Sequence, residues 1–151
     1  MSKITDAVEA LRSVVESTFA GRARLNLPYD LPANPDNQLK YGYGIKIDGG
    51  QNTAREFSCV SYSIKRTMTV ILCQDAVAKE SDPIRRDALE MGLFEDLALL
   101  IAAVVPDVTL NGIVISCVYT DDTGRQEVYT KEQPYIYLEA TFDIDYQQTI
   151  S

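Results

Sequence analysis

Apolar residues recur at helical spacing in two stretches of the chain. The first, residues 3–19, keeps one clean apolar stripe and predicts an amphipathic helix. The second, residues 82–106, opens with an aspartate that can cap a helix N-terminus and a proline at the first helical position. A second proline ends this stretch, because it cannot donate a backbone hydrogen bond to the preceding turn. We therefore expect the longest helix of the chain there.

The two halves of this longer helix differ. In the first half Ile84, Ala88, Met91 and Phe94 fall along one apolar stripe, and the charged residues face elsewhere. Residues 97–105 have no polar side chain on any face. Such a helix end must be covered on more than one side. We expect it to pack on a sheet, with a second helix or another subunit beside it.

Alternation of apolar and polar residues predicts strands at 41–48, 57–73 and 135–146, and the last of these has the clearest pattern. Two glycines at 49–50 predict a turn. Arg66 falls on the apolar side of the second strand, which requires a bulge or an edge position where the guanidinium reaches solvent. Residues 109–120 are apolar on both faces and predict a strand inside the sheet.

The order helix, strand, strand, helix, strand, strand predicts an α+β fold. We expect a single domain over residues 1–151, with a mixed or antiparallel sheet of about four strands and two helices packed on one face. Residues 22–40 carry three prolines and several asparagines and predict a long loop. A loop of this length is either a surface connection or a functional segment that a partner orders.

The composition narrows the possible chemistry. The chain has no histidine, which removes Ser-His-Asp and Cys-His catalysis and histidine-ligated metals, although carboxylate or lysine chemistry remains possible. A formal charge of −8 argues against a nucleic-acid-binding surface. No signal-peptide or transmembrane run is present, which predicts a soluble protein. Cys59, Cys73 and Cys117 lie in apolar runs without C-x-x-C spacing, so we expect buried free thiols.

The candidate site motifs favour simple structural explanations. Asp143 and Asp145 alternate on a strand as an acidic outer face would, and Asp121 and Asp122 open a turn. The glycines around Tyr43 lack the remainder of a dinucleotide motif. We therefore predict no catalytic, cofactor-binding or metal site and no enzyme activity.

A protein interface is the better-supported kind of site. Tyrosines concentrate near the last two strands, and we expect them on the face away from the core, where aromatic side chains suit a protein–protein contact. The candidate interface residues are Tyr119, Tyr129, Tyr135, Tyr137 and Arg66.

The chain resembles phage tail terminator proteins, the group typified by minor tail protein U of long non-contractile tails. The resemblance rests on the order of elements, on the alternating last strand that ends in an aromatic residue, and on a long strand that leads through a polar segment into a helix. The residues concerned are 138–146 for the last strand and 67–82 for the strand and the segment before the helix.

This resemblance implies a structural virion protein at the tail–neck junction, assembled in the host cytoplasm. Its partners would be itself in a hexameric ring, the tail tube protein and a head-completion or neck protein, with DNA passing through the ring without specific binding and no membrane. Two alternatives remain. One is another phage neck or head–tail joining protein, and the other is a small carboxylate-based enzyme or ligand-binding domain.

Overall fold

The computed structural model describes residues 4–52, 61–75, 83–130 and 134–149. Within these residues, three α-helices and six strands are present, and all the strands belong to one sheet. In chain order the elements are α1 (Ile4–Thr18), β1 (Ala23–Arg24), a 3₁₀ turn (Leu31–Ala33), α2 (Asp36–Leu39), β2 (Tyr41–Asn52), β3 (Ser61–Asp75), α3 (Pro83–Val104), β4 (Ser116–Asp122), β5 (Gln126–Tyr129) and β6 (Pro134–Thr149).

The centre of the sheet consists of three long antiparallel strands in the order β2, β3, β6. The short strand β1 pairs in parallel with the start of β2 and forms one edge. Strands β4 and β5 both pair with β6 on its other side, from Ser116 opposite Asp145 to Tyr129 opposite Pro134. These two strands therefore form one edge of the sheet, interrupted where Thr123 donates its backbone N–H to Glu139 O at 3.1 Å.

The main core lies between one sheet face and the two long helices. Both helices contribute side chains at helical spacing, and the three central strands contribute every second residue, as period-two alternation requires. Phe142 and Leu138 of β6, for example, are fully buried. The buried helix residues are Ala7, Val8, Leu11 and Val15 of α1 and Leu93, Leu97, Leu100 and Val104 of α3.

A smaller core lies on the opposite face of the sheet. The segment between β1 and β2 crosses that face and packs against β3, β5 and the start of β6. Gly42 and Gly44 permit this crossing, since a Cβ on Gly42 would lie 2.1 Å from Gln38 O and one on Gly44 2.8 Å from the Cβ of Pro28. The members of this smaller core are Leu25, Leu31, Leu39, Ile71, Cys73, Val128 and Tyr135.

The predicted four-strand fold with two helices in the order αββαββ is wrong, because the described residues already form a six-stranded sheet and three helices. Residues 22–40 are not a simple loop. They hold β1, the 3₁₀ turn and α2, because their backbone pairs with β2, as where Leu25 N donates to Tyr43 O at 2.8 Å. The sequence also predicted one interior strand at residues 109–120 and no strand at residues 126–129, where the structure has β5.

The predicted strand at 109–120 begins only at Ser116 and lies at the edge. The residues before it form turns in which Leu110, Asn111 and Gly112 have positive φ. Asp107 holds these turns by accepting hydrogen bonds from Thr109 N and Asn111 N. The apolar side chains that suggested an interior strand are partly outside, since Ile115 and Val118 are each 50% exposed.

The predicted turn at residues 49–50 is also absent, because β2 continues to Asn52. The register between β2 and β3 shifts between Ile47 and Gly50, so the irregularity expected at Arg66 lies in the neighbouring strand. Arg66 donates to Asp48 O at 2.8 Å and to the Tyr146 hydroxyl at 3.0 Å. A Cβ on Gly50 would lie 2.7 Å from this guanidinium.

The cysteine prediction is confirmed for two of the three residues. Cys73 and Cys117 are free and completely buried, and burial raises the pKa of each thiol to about 12. Cys59, the predicted cap Asp82 and the start of the predicted strand at 57–73 lie outside the described residues. None of the described helices is long and apolar enough to span a bilayer.

Candidate functional surfaces

The four candidate tyrosines do not share one face of the sheet. Tyr119 pairs opposite Phe142 on the helix side and contacts its ring edge-on, with centroids 5.9 Å apart. Its hydroxyl donates to Asp122, and this hydrogen bond raises the pKa of Tyr119 to about 12. Tyr129 is 66% exposed on β5. Of these two, only Tyr129 offers a largely accessible ring to a partner.

Tyr135 and Tyr137 lie on the opposite face, as their alternation predicts, but the segment between β1 and β2 covers part of that face. Tyr135 is fully buried in the smaller core, and Tyr137 is half-buried against it. Burial raises the pKa of Tyr137. The expected exposure is therefore wrong for Tyr135. A substitution at either position would disturb the smaller core as well as any interface.

Arg66 is half-buried, and its hydrogen bonds join β2, β3 and β6 near the end of the sheet. Its neighbour Lys65 is exposed and lies 3.6 Å from a carboxylate oxygen of Asp143. The geometry gives Arg66 a bracing role between strands, whether or not a partner also contacts it.

An accessible apolar surface lies on α3. Met91 and Leu99 are each 54% exposed, Phe94 is 38% exposed and Val105, just beyond the helix, is 65% exposed. Ala98 and Ala102 continue this exposed surface between them. We call these six residues the α3 patch. Part of the apolar stripe noted in the sequence thus points away from the core, while Leu93, Leu97 and Leu100 face it.

The open edge formed by β4 and β5 lies beside α3. Arg125, at the interruption between the two strands, places its Nε 2.6 Å from Glu90 of α3 and also pairs with Glu127. No strand among the described residues pairs with the outer side of this edge. An unpaired edge can add a strand from another chain, and the register shift between Tyr119 and Asp121 limits such pairing.

The β2 edge of the sheet is closed differently. Beyond β1, the Tyr29 hydroxyl accepts a hydrogen bond from Ile47 N at 2.7 Å and donates one to Ile47 O at 3.1 Å. Asn34 is buried and holds the segment before it by donating to Leu27 O and Asp30 O. Leu27 is 51% exposed, Tyr29 66% and Ile47 37%, and we call these three residues the β2 patch.

Arg22, in the predicted loop, is a structural centre that sequence reasoning did not find. Its side chain is fully buried and donates to Gly42 O and Cys73 O at 2.8 Å each and to Asp96 at 2.5 Å. The guanidinium also lies 4.1 Å from the ring centroid of Tyr41. It therefore joins the end of α1 to α3 and to two strands.

A second polar cluster lies beside α1. Tyr43 donates its hydroxyl proton to Glu16, and Arg24 donates to the same carboxylate at 2.8 Å. These hydrogen bonds, that of Tyr43 first, lower the pKa of Glu16, while burial raises the pKa of Tyr43. The cluster fixes α1 on β1 and β2. It contains no group that is free to attack a substrate.

The carboxylates that could suggest a metal site accept hydrogen bonds from neighbouring residues of the sheet and its turn. Asp143 accepts from Thr67 at 3.3 Å, and Asp145 accepts from Ser116 at 3.2 Å. Asp122 caps the turn by accepting from Gly124 N at 2.8 Å. In the part of the chain that the structure describes, no group of three or more Cys, Asp or Glu residues could hold a metal ion.

A cleft of about 310 Å³ separates the middle of α1 from the end of α3. Ser13 and Ser17 lie on one side of it, and Asp107 and Asn111 lie on the other. Asp107 already accepts three hydrogen bonds from the neighbouring turn, so the cleft offers few free polar groups to orient a ligand.

No protein-family model matches the chain. A search of curated proteins gives no match either. A proposal for the function therefore rests on the described surfaces and on the resemblance noted in the sequence.

Proposed function

We propose that this protein is a structural subunit that assembles with copies of itself and caps the tail tube of a phage. The observation that carries the proposal is the α3 patch beside an open sheet edge. A contiguous exposed apolar surface on a small protein is typical of an interaction site. The described residues offer an exposed apolar helix face beside an unpaired sheet edge, and little that would position a substrate.

The tail-terminator role comes from the sequence resemblance. Such a protein forms a ring on the last ring of tail-tube subunits, stops tube growth and provides the surface that joins the head. The acidic charge of −8 suits a ring through which DNA passes, because a basic lumen would retain the phosphate backbone. No reaction is part of this role, and the remaining alternative is another neck or head–tail joining protein.

The test uses tail-tube subunits of the phage that carries the chain. Purified protein is added while the tubes polymerise, and tube lengths and ends are measured by negative-stain electron microscopy. We expect shorter tubes with an added ring at one end. The matched control is the Met91→Gln/Leu99→Gln variant, which changes only the outer face of α3. Tubes that polymerise in its presence should be as long as tubes without added protein.

The outcomes separate the two virion roles. Binding to isolated head or neck complexes without any effect on tubes would favour the joining protein over the terminator. Binding to neither tubes nor neck complexes would contradict the proposed function altogether.

A further inference from the structure

We propose that Asn111 is a site of spontaneous deamidation, and that the turn around it keeps the reaction slow for as long as the chain stays folded. The site lies between α3 and β4, in residues 107–114, which we call the 107–114 turn. The reaction releases ammonia and converts the asparagine into aspartate or isoaspartate. This inference goes beyond the proposed function and does not depend on it.

Asn111 has the sequence context that favours this reaction. The chain has five asparagines, and only Asn111 is followed by a glycine. A glycine has no side chain that would hinder the approach of its backbone nitrogen to the neighbouring side-chain amide. Asn111 and Gly112 are both exposed. Apart from the adjacent residues, no heavy atom of the described chain lies within 4 Å of the position that a Cβ on Gly112 would take.

The chemistry needs only water as a second reactant. The backbone nitrogen of Gly112 attacks the side-chain Cγ of Asn111, and the bond from Cγ to Nδ2 breaks. Ammonia leaves with the proton that the Gly112 nitrogen gives up, and a five-membered succinimide ring remains. Water then adds to one of the two ring carbonyls and opens the ring. One opening gives aspartate, and the other gives isoaspartate, in which the main chain runs through the side-chain carboxyl carbon.

The folded turn withholds the attacking nitrogen. Gly112 N donates its hydrogen to the Thr109 hydroxyl at 3.1 Å, and this hydroxyl donates to Asp107 at 2.6 Å. Asp107 also accepts from Asn111 N at 2.8 Å, so the peptide groups on both sides of the asparagine are fixed. Ring closure requires Gly112 N to release its hydrogen and to turn toward Cγ. The reaction therefore requires local opening of the turn.

The 107–114 turn also connects the site to the main core. Leu110 and Val114 lie on either side of the site and are both buried. Leu110, Asn111 and Gly112 have φ of 48°, 63° and 79°, a left-handed backbone that glycine and asparagine tolerate better than leucine does. Isoaspartate adds one carbon to the main chain and changes the spacing between Asn111 N and Gly112 N, so that both cannot keep their partners. Amide loss therefore loosens the segment that leads into β4.

The first test compares reaction rates in the folded and the unfolded chain. Full-length protein is incubated in mildly alkaline buffer with and without guanidinium chloride, and mass spectrometry follows the mass gain of the tryptic peptide 87–125. This peptide contains one asparagine and no glutamine, so the gain reports Asn111 alone. We expect the folded chain to react at least about tenfold more slowly, because only its locally opened fraction is reactive. Equal rates, or no reaction in the unfolded chain, would overturn the proposal.

Variants of Thr109 test the protection directly. Thr109→Val keeps the shape of the side chain and removes the acceptor for Gly112 N. The folded variant should deamidate roughly three- to tenfold faster than the wild type, as the loss of one net hydrogen bond implies. Thr109→Ser keeps the hydroxyl and is the matched control, with the wild-type rate expected.

Circular dichroism must show the native fold for each Thr109 variant. Thr109→Ala replaces Thr109→Val if the valine does not fit, and the comparison of folded and unfolded wild type depends on no variant. A folded valine or alanine variant that reacts at the wild-type rate would overturn the protective role of the hydroxyl.

A melting experiment tests the effect on the turn. Deamidated protein is separated by ion exchange, and peptide fragmentation confirms its isoaspartate. We expect this form to melt several degrees below the wild type. Asn111→Asp carries the same additional charge without the additional main-chain carbon and should melt closer to the wild type. An isoaspartate form that melts together with Asn111→Asp would overturn the inference that amide loss loosens the turn.

Discussion

Helices α1 and α3 pack on the same face of the sheet, yet their outer surfaces differ. Both bury residues at similar helical spacing, Leu11 and Val15 in α1 and Leu93, Leu97 and Leu100 in α3. The outer face of α1 is polar, with Thr5, Glu9, Ser13, Glu16 and Ser17 exposed. The outer face of α3 is the apolar α3 patch.

This difference distinguishes the apolar surface that folding of the single chain requires from the apolar surface that folding leaves exposed. A helix that lies on a sheet needs one apolar stripe, and α1 has only that. The additional apolar face of α3 leaves side chains in water, where they contribute little to the stability of the single chain. Covering them with another surface would recover about 25 cal/mol for each Å² of apolar area removed from water. The second face of α3 is the feature on which the proposed assembly rests.

The largest expected loss of stability concerns the ion pair that holds α3 beside the end of α1. Asp96→Ala removes the carboxylate that pairs with the fully buried Arg22 side chain. Breaking a buried pair in this way typically costs about 3–5 kcal/mol, because a charge is left without compensation. Urea denaturation should show this loss in the free energy of unfolding. Asp96→Asn keeps an acceptor for the guanidinium and should cost less, and a loss below about 1 kcal/mol for Asp96→Ala would contradict the central role of Arg22.

The next prediction compares the two faces of α3 directly. Leu100 is fully buried and Leu99 is 54% exposed, and both stand in the same turn of the helix. Leu100→Ala should cost about 2–5 kcal/mol of unfolding free energy in dilute protein, since it leaves a cavity. Leu99→Ala removes the same atoms from a surface position and should change stability by about 0.5 kcal/mol or less. Equal losses would mean that the outer face also stabilises the single chain.

The same comparison explains how far the sequence predicts the fold. Periodicity and prolines identify α3 to within two residues at each end, and alternation assigns Phe142 and Leu138 to the core face of β6. These features depend on local geometry. The structure of residues 22–40 depends on pairing with β2 and on the buried Asn34 and Arg22, which no local pattern marks.

The candidate site was harder to predict for a related reason. Because α3 is apolar on two faces, its spacing cannot show whether Leu93 or Met91 points inward, and only packing on the sheet decides this. Tyr135 follows the alternation correctly but is buried by a segment far away in the chain. Exposure is a tertiary property, so a pattern that assigns residues to faces does not identify the accessible ones.

A smaller effect concerns the polar attachment of α1. The Tyr43 and Arg24 hydrogen bonds lower the pKa of Glu16 below its ordinary value of 4.5 in the folded chain. Their stabilisation is complete above that value and is lost as the pH falls through the folded-state pKa, because the unfolded chain takes up the proton more readily. The Glu16 and Arg24 side chains are about half exposed to solvent, so the loss should be at most about 1 kcal/mol.

The measurement for this cluster is the free energy of unfolding between about pH 5 and about pH 3. Tyr43→Phe retains the buried ring and removes the hydroxyl, so its stability should fall less steeply with acid than that of the wild type. Tyr41→Phe is the control and should keep the wild-type slope. Identical slopes for wild type and Tyr43→Phe would exclude a stabilising role for this hydrogen bond.

The smallest effect on stability is expected where the effect on assembly is largest. Met91→Gln/Leu99→Gln/Val105→Gln gives α3 an outer face as polar as that of α1. Glutamine has nearly the helix propensity of leucine and methionine, and each exposed substitution should change unfolding free energy by about 0.5 kcal/mol or less. The triple variant should therefore melt within a few degrees of the wild type, bind less strongly to a hydrophobic column and remain monomeric. Adding Thr5→Leu/Ser13→Leu/Ser17→Leu makes the opposite change on α1 and should increase column retention without restoring ordered assembly, because apolar area alone does not specify a contact. A triple α3 variant that unfolds would show that the outer face of α3 belongs to the core of the single chain, and the contrast between the two helices would then carry no information about partners.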